Sequence, residues 1–316
     1  MSYKYSHICQ YVAETPWAIA PSKMAELLSV LAFRAAGGIW TAEEIQARIG
    51  SASTPAQPRQ GDSVAVIPVH GVIAHRMGAF DDSSGGTSTE RIGKMVAAAH
   101  ADSSIGTILL DINSPGGTVP GVQELASEMF VARGRGTKKV IAHVNACACS
   151  AAYWIASQAD EIVSTPSGTT GSIGVFAVHQ DLSKALEITG NNVTLISAGK
   201  YKLEANIFQP LSDEAKAVIQ ARVDEAYSQF VKDVARGRGV SVADVKGGYG
   251  EGRALTAKDA KAAGLIDRIE TFDATLSRLV GRRSQAGLRA EMDDDSALAA
   301  LLTVQEDDRR RRLERF

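Results

Sequence analysis

Cysteine is scarce in this chain of 316 residues, with three at positions 9, 147 and 149. An odd number, two of them only two residues apart, excludes a disulfide framework and fits a reducing, cytoplasmic setting. An excess of one charge is missing as well: 34 Lys and Arg stand against 36 Asp and Glu, a net charge of -2. Such a balance builds no field that would hold nucleic acid or an anionic membrane, so neither is expected as a partner. Long apolar runs are absent too. The stretch Met24 to Phe33 near the start contains Glu26 and falls well short of the about 20 residues that a membrane span needs. No basic segment followed by a small-residue cleavage site precedes the main domain, and the expectation is a soluble, unexported protein.

What is present is a 45% hydrophobic chain, enough to bury one sizeable core with smaller appendages. Residues 1–60 read as an N-terminal arm and linker: an amphipathic helix from Ser22 carries Met24, Leu27, Leu28, Leu31 and Phe33, and Ser51 to Asp62 is poor in large apolar residues. From residue 61 to 281 short apolar runs alternate with helical patterns, the signature of an α/β fold with a parallel sheet and βαβ crossovers. Strands are expected at 64–69, 107–112, 139–144, 161–164, 173–178 and 193–197. Helices are expected at 88–100, 119–133, 151–158 and 181–189. A long helix should run from Ser212 to Arg236, with Ser212 as N-cap and the Gly237 to Gly239 stretch as its end. Ala257 to Ile269 reads as a short helix turned by Gly264 into a strand. Residues 282–316 form a charged C-terminal tail.

Three segments offer chemistry at sheet ends, where open α/β sheets build their sites: Asn113 to Gly117, Ala146 to Tyr153, and Lys200 to Lys202. Ser150 lies among Ala146, Ala148, Ala151 and Ala152 at a helix start, whose free N–H groups and positive dipole end suit an oxyanion. An ordinary N-cap serine explains the same local sequence. Cys149 is a rival nucleophile but reads as a small core hydrophobe. Gly116 and Gly117 can turn backbone N–H groups outward, or simply make a tight turn. For a base the chain offers His143, His179, Lys200 and Lys202. The histidines read as satisfied core or edge residues. Lys202, between Tyr201 and Leu203, is better placed than Lys200 for the partial burial that a lysine base requires, although exposed lysines are the rule.

At these residues the chain resembles the SppA / protease IV family of serine peptidases, from about Val64 to Ile269. The resemblance rests on Asn113-Ser-Pro-Gly-Gly117, Ala148-Cys-Ser150 with Tyr153 and Ala159-Asp160, Thr170-Gly-Ser-Ile-Gly-Val175, Ala198-Gly-Lys-Tyr-Lys202, Gly252-Arg253 and Ala260 to Asp267, in that order. It implies a crotonase-like (ClpP/crotonase) fold, Ser150 as nucleophile, Lys202 as general base, and an oxyanion hole from Gly116 or Gly117 and the Ser150 backbone. It also implies a supporting role for Ser172 beside the lysine. Ala151 and Ala152 depart from the usual Ser-Gly-Gly and put the shape of the site in question. Pro16-Trp-Ala-Ile19 resembles the phage head-maturation branch, minor capsid protein C. That branch implies cleavage of scaffold or capsid proteins in the host cytoplasm or the prohead. Related peptidases assemble into rings, so a homo-oligomer with the Ser212 helix as a contact is expected, and the Ser-Lys mechanism calls for no metal or other cofactor.

Three alternatives remain open at this point. An acyl-CoA enzyme of the same fold would need acidic groups near the oxyanion turn. A host signal-peptide-peptidase-like protease would share the dyad. A head-assembly protein without activity would keep the fold and not need Ser150.

Overall fold

The computed structural model describes residues 12, 15–35, 64–76, 86–135 and 138–280. The expected linker and the charged tail lie outside these residues, as do the domain limits drawn there.

A parallel sheet forms the centre. Strand β2 (Val64–His70) pairs with β5 (Thr107–Ser114), and β5 with β7 (Lys139–Cys149), all in parallel register. These strands are near-continuous apolar runs because helices cover the sheet. Pro68 is tolerated in β2 because that strand is an edge, paired among the described residues only with β5. Strand β7 is eleven residues long and forks: Ile141 to Val144 pair with β8 (Glu161–Ser164), and Cys147 to Cys149 with β9 (Thr169–Gly171). Strands β10 (Ala254–Thr256) and β11 (Arg268–Ile269) extend the two branches. A second, four-stranded sheet joins β1 (Trp17–Ile19), β6 (Gly116–Thr118), β3 (Ile73–Ala74) and β4 (Thr87–Ser88) in that order.

The helices in chain order are α1 (Pro21–Ala35), α2 (Thr89–Ala101), α3 (Val122–Arg135), α4 (Ala151–Ala156), α5 (Ser183–Ile188), α6 (Asp213–Arg238), α7 (Val242–Gly248) and α8 (Ala257–Ala262). A further helix, α9, spans 272–280. One face of the sheet packs Ile67, Ile108, Leu110, Val140 and Ala142 against α2, α3, α4 and α6. The other face puts Val64, Leu109, Ile141 and Val163 against Leu279 and the partly buried Phe272 and Leu276 of α9. The expected α/β layering and crossovers are therefore present. Ser212 caps α6 by accepting from the Ala215 N–H at 3.2 Å, and Gly239 ends it in the left-handed region at φ 67°.

Helix α6 docks on α4 through a buried polar pair. Trp154 stacks on Phe230 with ring centroids 4.5 Å apart, and its Nε1 donates to Asp233 at 2.9 Å. Arg236 also pairs with Asp233 at 3.1 Å, so the buried carboxylate is compensated. This anchors the helix that begins immediately after Ser150.

Two expected strands are not strands. Residues 173–178 contribute one bridge, Trp17 with Phe176, while 193–197 have no strand partner among the described residues. The pairing edge beside β7 goes to Thr169–Gly171 instead, leaving 193–197 without a ladder to satisfy its backbone.

Candidate active site

Strand β7 delivers Ser150 at its carboxyl end, and α4 starts one residue later. Ser150 occupies φ 57°, ψ -118°, a costly backbone region for a residue with a side chain. Its hydroxyl makes no helix-capping bond, which sets aside the N-cap explanation; Oγ donates to the Gly174 carbonyl at 3.3 Å. The turn is held from below, because the Ser150 N–H donates to the Gly171 carbonyl at 2.7 Å and Trp154 N–H to the Ser150 carbonyl at 2.9 Å.

Strand β5 brings the glycines to the same place. A bulge between Ile112 and Ser114 ends the regular pairing with β7, and the chain turns through Pro115 into β6. Gly116 adopts φ 101°, and a Cβ there would strike the Ala18 carbonyl and come within 3.0 Å of Ser150 Cβ. A Cβ on Gly117 would collide with the Ile73 backbone. Glycine is needed at both, at the first for conformation and closeness and at the second for closeness. The Gly116 N–H donates to Ser114 Oγ at 3.2 Å. Ser172 follows Gly171 directly at φ 52°, is buried, and donates its N–H to the Arg253 carbonyl at 2.9 Å. Ser150, Gly116 and Ser172 are therefore gathered at the end of β7.

Lys202 is not gathered with them. It lies in the turn 199–205 and is exposed, so the partial burial expected of it is absent in the single chain. The reason is that 189–205 folds back on no sheet edge. Lys200 is exposed too, with Nζ 2.6 Å from Tyr201 Oη and 3.7 Å from Glu214. Ser150 itself is 1% exposed. His143 is a core residue as expected but not a satisfied one: among the described residues neither ring nitrogen has a hydrogen-bond partner, and its ring meets Phe272 edge-on at 5.3 Å. His179 faces the Asn206 carbonyl at 3.1 Å.

Two features escaped the sequence reading. Cys147 and Cys149 point the same way from β7 with sulfurs 3.1 Å apart; the contact holds the Cys147 thiol down at about 7, and the same contact together with burial pushes Cys149 up. The i, i+2 spacing on a strand was the available signal. The second is β1, which lies against β6 beside the serine. Among the described residues no cluster of His, Cys, Asp and Glu has the makeup of a metal site, and no helix is long and apolar enough to cross a membrane.

A serine held at a strained strand-to-helix turn, next to a backbone strand of small residues, is an arrangement suited to acyl transfer through a serine nucleophile. Residues 132–285, just under half of the chain, match the model of Peptidase family S49. Capsid assembly protease C of Escherichia phage lambda is 33% identical over 273 residues, 81% of this chain and 61% of that protein. Head-tail preconnector protein GP5 of Enterobacteria phage P21 is 36% identical over 66% of this chain and 41% of its own length. Protease 4 of Salmonella typhi is 29% identical over 72% and 35%. The chain thus spans between about a third and three fifths of the relatives it matches. Among solved structures, a mutant ClpP1 from Listeria monocytogenes aligns with TM-score 0.40 at 15% identity, over 65% of this chain and 91% of that one.

Proposed function

We propose that this protein is a serine endopeptidase of phage head maturation, with Ser150 as nucleophile and scaffold or capsid proteins as substrates. The observation that carries the reading is the conformation of Ser150: buried, strained, uncapped, set beside Gly116 and inside the stretch 132–285 that matches Peptidase family S49. Two phage relatives with head-assembly names support the setting. Ser150 Oγ attacks the peptide carbonyl, the C–N bond breaks to leave an acyl-enzyme, and water releases the acyl group. Gly116 and Gly117 supply oxyanion donors once their N–H groups leave Ser114 Oγ and the Ala18 backbone, and the Ser150 N–H joins them only if its bond to Gly171 opens.

Lys202 takes the proton from Ser150 and returns it to the leaving amine. A lysine does this only when burial favours its neutral form, and in the single chain Lys202 is exposed. Assembly supplies the burial in this reading. The segment around Lys202 carries Ile188 and Ile196, 86% and 93% exposed, which a second copy would cover. The dyad is then completed between copies, with Ser172 supporting the incoming lysine.

Intact-mass analysis of the protein incubated with its neighbouring head proteins tests the reading. Fragments should appear with the parent chain and disappear with Ser150→Ala and with Lys202→Ala. Mixing the two inactive variants should restore cutting, because a mixed assembly joins an intact serine to an intact lysine. Equal cutting by the Ser150→Ala variant overturns the nucleophile.

A further inference from the structure

The short strand β1 is bonded on both of its edges. On one side it runs antiparallel to β6, with Trp17 opposite Thr118, Ala18 opposite Gly117 and Ile19 opposite Gly116. On the other side Trp17 exchanges both backbone hydrogen bonds with Phe176, at 2.9 and 3.0 Å. The neighbouring bonds, Val119 N–H to Pro16 and Ala20 N–H to Pro115 at 3.1 and 2.8 Å, extend the ladder to five residues. Alternation along a strand turns the polar groups of Ala18 toward Gly117. The chain runs along β6 toward Gly116, and the Ala18 carbonyl abuts the same point of Gly116 that Ser150 Cβ approaches.

Without β1, the edge of β6 and the backbone at Phe176 would face each other across a slot leading to Ser150. Its walls would expose unpaired backbone donors and acceptors, the template to which an extended peptide adds as a strand. The side chains of β1 show what such a peptide requires. Trp17 and Ile19 enter an apolar cluster with Val72, Phe176 and Val178, whereas Ala18 is fully buried on the opposite face. Of that cluster, Val12, Trp17, Ile19, Met24, Leu27 and Leu28 come from the arm itself, and among the described residues β1 pairs with no strand of the central sheet.

We infer that the slot between β6 and Phe176 is the substrate groove, that it accepts an extended peptide with a large apolar, small, large apolar pattern, and that Trp17–Ile19 is the chain's own peptide holding it shut. This rests on Ser150 being the nucleophile for the direction of the groove, though not for its occupancy. Displacement of the arm frees the Gly117 N–H and admits substrate.

The test uses the full chain carrying Ala18→Asp, which places a carboxylate at a fully buried strand position and expels the arm, and reads binding of a fluorescent peptide Thr-Pro-Trp-Ala-Ile-Ala. The variant should bind it at least 10-fold more tightly than the parent chain and discriminate against the same peptide with Asp at its fourth position. A fluorophosphonate should label Ser150 at least 10-fold faster in the variant. Hydrogen exchange at Gly117, Val119 and Phe176 reports independently that the arm has left. Free exchange there without peptide binding overturns the groove; peptide binding with no labelling of Ser150 in any variant leaves the groove standing and removes the nucleophile. If Ala18→Asp and the milder Trp17→Ala both lose their circular dichroism signal, the arm is a fixed part of the core and the inference fails.

Discussion

Backbone strain at Ser150 is tolerated because β9, α4 and Gly174 hold the residue from three sides. Such strain costs about 1–3 kcal/mol, and it belongs to the Cβ rather than to the hydroxyl. Ser150→Ala should therefore abolish fluorophosphonate labelling with little change in urea midpoint, whereas Ser150→Gly should be more stable than Ser150→Ala by about 1 kcal/mol. His143 makes a second residue-level prediction. Burial lowers its pKa from 6.5, against the upward pull of Asp111 and Glu270. The unfolded chain then binds the extra proton first, so stability is full above pH 6.5 and falls as the pH drops through the folded value. The loss should reach at most about 1.4 kcal/mol per pH unit, and His143→Leu should flatten the slope of urea midpoint against pH between 6.5 and 5. Cys147 makes a third: its thiol, held at about 7 by Cys149, should be carbamidomethylated by iodoacetamide near pH 7.5 well before Cys149, as read by peptide mapping.

Among the elements, α4 and α6 cross in close contact. A Cβ on Gly237 would collide with the Ser157 carbonyl and come within 2.8 Å of its carbon. Gly237→Ala should destabilise the fold by about 1–3 kcal/mol through overpacking, read as a fall in urea midpoint at constant slope. The same elements show what a sequence carries. Strands β2, β5, β7 and β8 were legible because each is an apolar run bounded by turn residues, and α6 because its apolar spacing and both its caps are local. Strands β1 and β9 are three residues each, Trp-Ala-Ile and Thr-Thr-Gly. They owe their state to distant partners, Gly117 for Ala18 and Ala148 for Thr170, and no window of that length has a period. Conversely, 193–197 is apolar enough for a strand and finds no edge. In the site, Ser150 and Gly116 were legible from small residues at sheet ends together with the order of motifs. The exposure of Lys202 was not, because it depends on where 189–205 lies relative to the rest of the chain.

For the molecule as a whole, the segment that carries the proposed base also exposes Ile188, Val193, Ile196 and Tyr201. Ile196→Asp should leave the fold intact, since this side chain is 93% exposed. It should lower the mass seen by native mass spectrometry and cut the rate of substrate cleavage at least 10-fold by separating Lys202 of one copy from Ser150 of another. The separate apolar cluster of the arm has a further thermodynamic consequence. Because Trp17, Ile19 and Met24 share one small core and are joined through Ala20 and Pro21, they have no stable intermediate in which only one has left. The arm is a subglobal cooperative unit with its own opening equilibrium. Its amides should exchange at a common free energy below that of the central sheet, and the protein should show two steps of denaturant sensitivity, the shallower one setting how often the serine meets the solvent.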